Sequence, residues 1–296
     1  MCRALALLAL PLCMTAADLT IDHVTVAGMD LKQMQARLAS VGIPTEYGGP
    51  HSNHATEMAL ASFPDGSYLE LIAVQPDADA KALAAHYWSK QIQSNAGPAA
   101  WAVRAENLSA EAERLRAAGV VVSAPTRSGR ARPDGVHLEW ETVIAGPEPN
   151  GTFFPFLIHD FTPRPSRAFP HDSPVTKDFS GVKRVILAGR NLPASVARYQ
   201  KAYGLTAPVE REDPSFGGRL AWFPGTPVVL AEPLNAQSWL ASRLAQFGEG
   251  PCAFVLGAAQ APADVQGDAR ARAHAPALQI RWLDTQKLGW RLGVEP

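Results

Sequence analysis

The sequence predicts an α+β protein of two tandem domains, each built from a pair of βαβββ modules, and three observations carry the prediction. The same order of strand signal, capped helix and further strand signals returns along the chain at intervals of roughly 60–75 residues, as in a protein with internal repeats. The openings match: Ala27-Gly28 and Ala188-Gly189 each end a β-rich run, and Asp30, Asn107 and Asn191 stand where a helix N-cap belongs. Hairpin signals also recur, at Pro64-Asp65-Gly66, Asn150-Gly151 and Pro224-Gly225.

In the first module, residues 21–28 read as a strand. Leu31, Met34, Leu38 and Val41 recur at helical spacing until Gly42 stops the helix. A glycine-rich loop carrying His51 and His54 precedes two strands, 56–63 and 67–74. The second module repeats the order with a strand at 99–104, a helix at 108–118 and strands at 120–123, 135–144 and 152–159. Residues 66–72 align without gaps on 151–157, which sets Pro155 against Glu70 and Ala100 near the position of His23. A third copy starts at 182–189, continues with a helix at 192–203 and closes with a hairpin around Pro224-Gly225. A weaker fourth copy uses 251–257, 279–283 and 289–294. The expected division is a domain at 18–163, a proline- and charge-rich linker at 164–178 and a second, degenerate domain at 179–296.

The chain has 296 residues, with 27 Lys+Arg against 28 Asp+Glu, 47% hydrophobic and 19% charged. That balance excludes a disordered chain, and its near-zero net charge argues against a nucleic-acid partner bound by bulk electrostatics. No apolar run reaches the ~18 residues that a membrane-spanning helix needs. Residues 1–17 read as a signal peptide. Arg3 precedes an apolar stretch, and Thr15-Ala16-Ala17 offers a cleavage site after Ala17. The expected location is therefore periplasmic or secreted. The mature chain keeps a single cysteine, Cys252, and so has no internal disulfide.

Several runs carry a family resemblance: Ile21-Asp22-His23-Val24, Gly48-Gly49-Pro50-His51, Gly66-Ser67-Tyr68-Leu69-Glu70-Leu71, Arg132-Pro133-Asp134-Gly135-Val136 and the phenylalanine-rich stretch 153–158. The chain resembles the vicinal oxygen chelate superfamily, and within it the glyoxalase-like branch, closely over 19–163 and loosely over 182–294. The resemblance implies curved mixed sheets with a functional concave side.

On a two-residue period His23 shares a strand face with Ile21 and Thr25, and Glu70 shares one with Tyr68 and Ile72. The resemblance places both faces on the concave side. An imidazole and a carboxylate there can hold a divalent metal ion, and His51 is the candidate third ligand. Zinc, manganese, iron, nickel and magnesium are not distinguished, and no nucleotide or organic cofactor is expected. Glu70 and His159 are the candidate catalytic acid–base groups. Tyr68, Trp101, Arg104 and Trp140 are the candidate substrate-binding residues, with the two tryptophans as an aromatic wall. In the third copy Arg184 stands at the place of His23, so the second domain is expected to lack a metal.

Two functions follow from one concave sheet. One is a metal-dependent lyase, isomerase or ring-cleaving enzyme acting on a small oxygenated substrate. The other is a metal-free binding protein for a small molecule. A third reading keeps the architecture as a packing scaffold without a site. A homodimer fits the same modular plan.

Overall fold

The structure is a computed structural model and describes residues 19–146, 152–259 and 280–296. The expected signal segment and the Asn150-Gly151 hairpin lie outside the described residues.

The first half forms an eight-stranded sheet from two modules. The first is β1 (Ile21–Ala27), α1 (Leu31–Ala39), β2 (Glu46–Pro50), β3 (Thr56–Ser62) and β4 (Tyr68–Val74). Two short helices, α2 (Ala80–Ala85) and α3 (Ser89–Gln93), lead into the second module. That module is β5 (Gly97–Arg104), α4 (Leu108–Ala117), β6 (Thr126–Ala131), β7 (His137–Val143) and β8 (Phe156–Asp160). The strand order is β2-β3-β4-β1-β5-β8-β7-β6. β1 runs parallel to β4, β5 runs parallel to β8, and β1 and β5 join the modules antiparallel.

The second half repeats the plan after α5 (Arg164–Ala168), with β9 (Phe179–Ala188), α6 (Leu192–Tyr203), β10 (Val209–Asp213), β11 (Gly218–Trp222) and β12 (Val228–Pro233). α7 (Trp239–Phe247), β13 (Gly250–Ala258), β14 (Arg281–Trp282), α8 (Thr285–Leu288) and β15 (Arg291–Glu295) complete it. Its seven strands run β10-β11-β12-β9-β13-β15-β14.

The helix starts follow from capping chemistry. Asp30, Asn107 and Asn191 accept the backbone N–H of Gln33, Ala110 and Ala194, satisfying donors that a helix N-terminus leaves free. At the β3–β4 turn Gly66 adopts φ +79°, and the Asp65 carboxylate accepts from the Ser67 N–H at 2.8 Å.

Four expectations change. The glycine-rich loop is largely strand β2. Residues 120–123 supply only an isolated Val122–Ala145 bridge, and the strand forms later, at β6. The stretch at 164–178 is more than a connector, because it contains α5 and the buried Arg167. α2, α3, α7 and β10 carry no counterpart in the sequence reading.

One core joins the helices to one face of each sheet. It includes Val24, Val26, Leu69 and Leu71 of the first sheet, Val185, Leu187 and Leu230 of the second, and Leu38, Leu115 and Tyr199 from the helices. The opposite faces differ. In the second sheet, Ile186, Val229 and Val255 pack with Phe216 and with Leu240 and Leu244 of α7, so side chains fill that concavity. In the first sheet the opposite face lines a cavity. Among the described residues no helix is long and apolar enough to cross a membrane.

Candidate active site

The parallel register of β1 and β4 builds the site. Thr25 lies beside Glu70, and His23 beside Tyr68, so alternate side chains of both strands share one face. The sheet then curls until its edges meet. His51 bridges Arg130 of β6, and the Ser52 N–H donates to the Gly129 carbonyl at 3.4 Å. Gly49 makes the closure possible. It adopts φ +107°, and a Cβ there would lie 2.5 Å from the Ala131 carbonyl oxygen. The cavity, open on one side, measures about 340 Å³, toward the small end of ligand pockets, roughly 300–1,000 Å³.

Glu70, 7% exposed, lies against this cavity. Thr25 Oγ1 donates to its Oε2 at 3.0 Å, His23 Nε2 lies 3.7 Å from the same oxygen, and His51 Nε2 lies 3.5 Å from Oε1. Burial pushes the Glu70 pKa up, but His51, His23 and the Thr25 hydroxyl outweigh it and hold the value down to about 2. Glu70 is therefore a carboxylate at neutral pH. His51 Nδ1 lies 2.9 Å from Thr56 Oγ1, and His23 Nδ1 lies 2.6 Å from Asp22 Oδ1. Each imidazole thus has its outer nitrogen engaged and its Nε2 toward Glu70.

An ionic network stands behind His23. Arg167 Nη1 and Nη2 donate to the two oxygens of Asp22 at 3.0 and 2.9 Å, and Nη1 also reaches the Tyr68 hydroxyl at 2.5 Å. Arg167 also grips Asp160 at 2.5 and 2.8 Å, and Arg164 bonds Asp22. Burial works against the Asp22 carboxylate, but Arg167 and His23 hold its pKa well below the usual range. The His23 ring stacks on Tyr68 with centroids 4.8 Å apart. His86 also lines the cavity. Its Nδ1 accepts the Trp88 N–H at 3.1 Å, and burial, with His51 nearby, lowers its pKa to about 4.

Of the residues proposed from sequence, His23, His51, Glu70, Tyr68 and Trp140 line this one cavity. Trp101 does not. It is fully buried in the shared core on the helix-facing side of β5, beside Val24. Arg104 sits at the end of β5, outside the cavity lining, and donates to the Asp65 carbonyl at 3.2 Å. His159 also lies outside it, with Nδ1 3.0 Å from the Ala105 carbonyl oxygen. The reason is a one-residue offset in β8. Phe156 and Ile158 face the cavity, while Leu157 packs in the core, so the parity that included Pro155 and His159 points away. The position beside Ala102 that answers to Glu70 beside Thr25 is Phe156. A bulge between Ile21 and His23 likewise sends Ile21 to the core and turns Asp22 to His23. Arg184 pairs with Glu295 in the second sheet, and not with Glu70.

All three candidate metal donors therefore come from the first module. Among the described residues no group of three or more His, Cys, Asp or Glu side chains is spaced to hold a metal ion as it stands. The Glu70 carboxylate lies between the imidazoles, with one oxygen toward each. The donor types do fit. Two Nε2 atoms and a carboxylate form a His₂Glu set, and the Asp22–His23 pair is the outer support that metal-binding histidines use.

A family model described as "Glyoxalase-like domain" matches residues 21–203. No curated protein matches the chain. A crystal structure of a hypothetical protein from Staphylococcus aureus shares 16% identity, with TM-score 0.65 over 94% of this chain and 99% of that one. A mutant of 4-hydroxymandelate synthase from Streptomyces coelicolor shares 12%, with TM-score 0.52 over 81% of this chain and 71% of that one. Methylmalonyl-CoA epimerase from Mycobacterium tuberculosis shares 18% over 40% of this chain and 89% of that one, with TM-score 0.31. The first two matches show a likeness of fold alone.

Proposed function

The chain belongs to the glyoxalase-like domain family, and from that premise we propose that its first cup is the active site of a divalent-metal-dependent enzyme. The proposed reaction is a lyase- or isomerase-type step that moves a proton on a small oxygenated substrate. The observation that carries the reading is the Glu70 carboxylate, buried beside an open cavity between two imidazoles whose Nε2 atoms both face it.

His23, His51 and Glu70 would hold the ion. When bound, it supplies Lewis acidity toward substrate oxygens and stabilises a developing oxyanion. The chain supplies the rest. Asp22 and Thr56 orient the two imidazoles. Thr25 holds one oxygen of Glu70 in place and leaves Oε1 toward His51. Ile72, Trp88, Phe156 and Ile158 keep bulk water from the reacting region. His86 presents a ring that burial keeps uncharged at neutral pH, suited to donating one hydrogen bond to a substrate oxygen.

The test is solvent exchange. The metal-loaded protein is incubated in D₂O with small α-hydroxy and α-oxo carbonyl compounds, and deuterium uptake is followed by proton NMR. Exchange at least about a hundredfold faster with the wild type than with Glu70→Gln is expected, because the variant removes a carboxylate that is both a donor to the ion and the candidate base. Equal exchange in both proteins would remove Glu70 from the chemistry. The separation of the donors around Glu70 favours a second reading, a metal-free binding protein, which predicts ligand uptake without exchange.

A further inference from the structure

Five arginines lie near the first cup, and four of them face carboxylates, Arg104 at 4.0 Å from Asp22. Arg167 holds Asp22 and Asp160, Arg164 holds Asp22, and Arg132 holds Asp134. Arg130 is different. It is 6% exposed and lines the cavity, yet its hydrogen bonds go to two backbone carbonyls, those of Gly48 and Arg167. Those bonds leave part of a five-donor guanidinium uncommitted. A buried cation without an anion is costly, and a ligand that brings one relieves that cost. Glu70 and the Tyr68 phenol are near enough to be felt by Arg130 but form no pair with it, and Arg167 and Arg132 add positive charge nearby.

The remaining wall is apolar. Met58, Ile72, Trp88, Trp140, Ile144 and Phe156 supply aliphatic and aromatic surface. A cation at one wall and hydrocarbon around the rest, within a small volume, define a ligand with one anionic end and a compact apolar body.

We propose that the first cup takes a small organic monocarboxylate, its carboxylate docked on Arg130 and its apolar body against Trp88, Trp140 and Phe156. The proposal rests on the reading of this cup as a substrate site and does not depend on a metal. Arg130 sits on β6, next to His51 across the seam where the sheet edges meet. A carboxylate there brings its neighbouring carbon and oxygen atoms toward His51 and Glu70. Arg130 thus selects the substrate by charge, while the β1–β4 residues act on it.

The test uses metal-stripped, full-length protein and matched pairs of probes. Phenylacetate, 3-phenylpropanoate and hexanoate are titrated against the corresponding neutral amides, with tryptophan fluorescence and calorimetry as readouts. At least one carboxylate is expected to bind tenfold or more tighter than its amide, about the discrimination of one charge-assisted hydrogen-bonded pair. Arg130→Gln should erase the preference, and Arg130→Lys should keep part of it, with circular dichroism confirming that both variants fold. Amides that bind as tightly as the acids would overturn the proposal. So would a preference that survives in Arg130→Gln, or a failure of every carboxylate in the panel to bind. If Arg130→Gln does not fold, the acid-to-amide ratios of the wild type and Arg130→Lys decide. Removing the metal first separates the two readings. Binding that needs added metal and is lost in Glu70→Gln but kept in Arg130→Gln supports the metal site and refutes the Arg130 site. Anion selectivity without metal uptake does the reverse.

Discussion

Glu70 is a carboxylate because His51, His23 and Thr25 surround it, and those neighbours outweigh a burial that raises its pKa. The same cavity lowers the His86 pKa from 6.5 to about 4, mainly through burial, with His51 adding to the effect and Glu70 opposing it. In the unfolded chain His86 takes up its proton near pH 6.5, whereas in the folded chain it does so only near 4. Its contribution to stability is therefore complete above pH 6.5 and is lost as the pH falls toward 4. The loss is bounded at about 3 kcal/mol, and partial exposure brings it lower. Denaturant unfolding at pH 7 and pH 4.5 should show the wild type losing more stability than His86→Asn; equal losses would remove His86 from the balance. At this scale the sequence exposed His23 and Glu70, because strand parity groups each with its face-mates and the family resemblance puts both faces on the concave side. It hid Asp22 and Arg167. Asp22 faces His23 only through a bulge that no residue type announces, and Arg167 lies in a stretch whose composition reads as linker.

The modules show how turn and cap chemistry make elements legible. Asp30, Asn107 and Asn191 sit at observed helix starts, and Asp65-Gly66 makes the β3–β4 turn. What was not legible came from tertiary pairing. The 66–72 and 151–157 runs align without gaps, yet β8 is offset by one residue, and that offset exchanges Pro155 and His159 for Phe156 and Ile158 at the cavity. Gly48 and Gly49 read as part of a glycine-rich loop. Gly49 instead lets β2 approach β6, and a Cβ on Gly48 would lie 2.0 Å from the Met58 sulfur. Gly49→Ala should cost about 1–3 kcal/mol, from positive φ and from contact with the Ala131 carbonyl. It should also speed amide exchange at Ser52, whose N–H donates across the seam. Unchanged exchange at Ser52 would mean that the edges meet without help from Gly49.

Across the whole molecule, one repeated plan yields two unlike cups. The repeat was readable because each copy keeps its own strand, cap and turn signals. The different fates of the cups depend on α7 and Phe216, which fill the second one and which no repeat signal marks. The first keeps its cavity with His23, His51 and Glu70 at its wall. Among the described residues, the proposed metal donors therefore lie in the first cup. The most direct test is elemental analysis of the full chain after dialysis against a mixture of zinc, manganese, iron(II), nickel and magnesium, for the wild type, His23→Ala and Glu70→Gln. The prediction is close to one divalent ion per wild-type chain, lost in both variants. A wild type that retains no ion, or variants that retain it, would contradict a metal centre built on these residues.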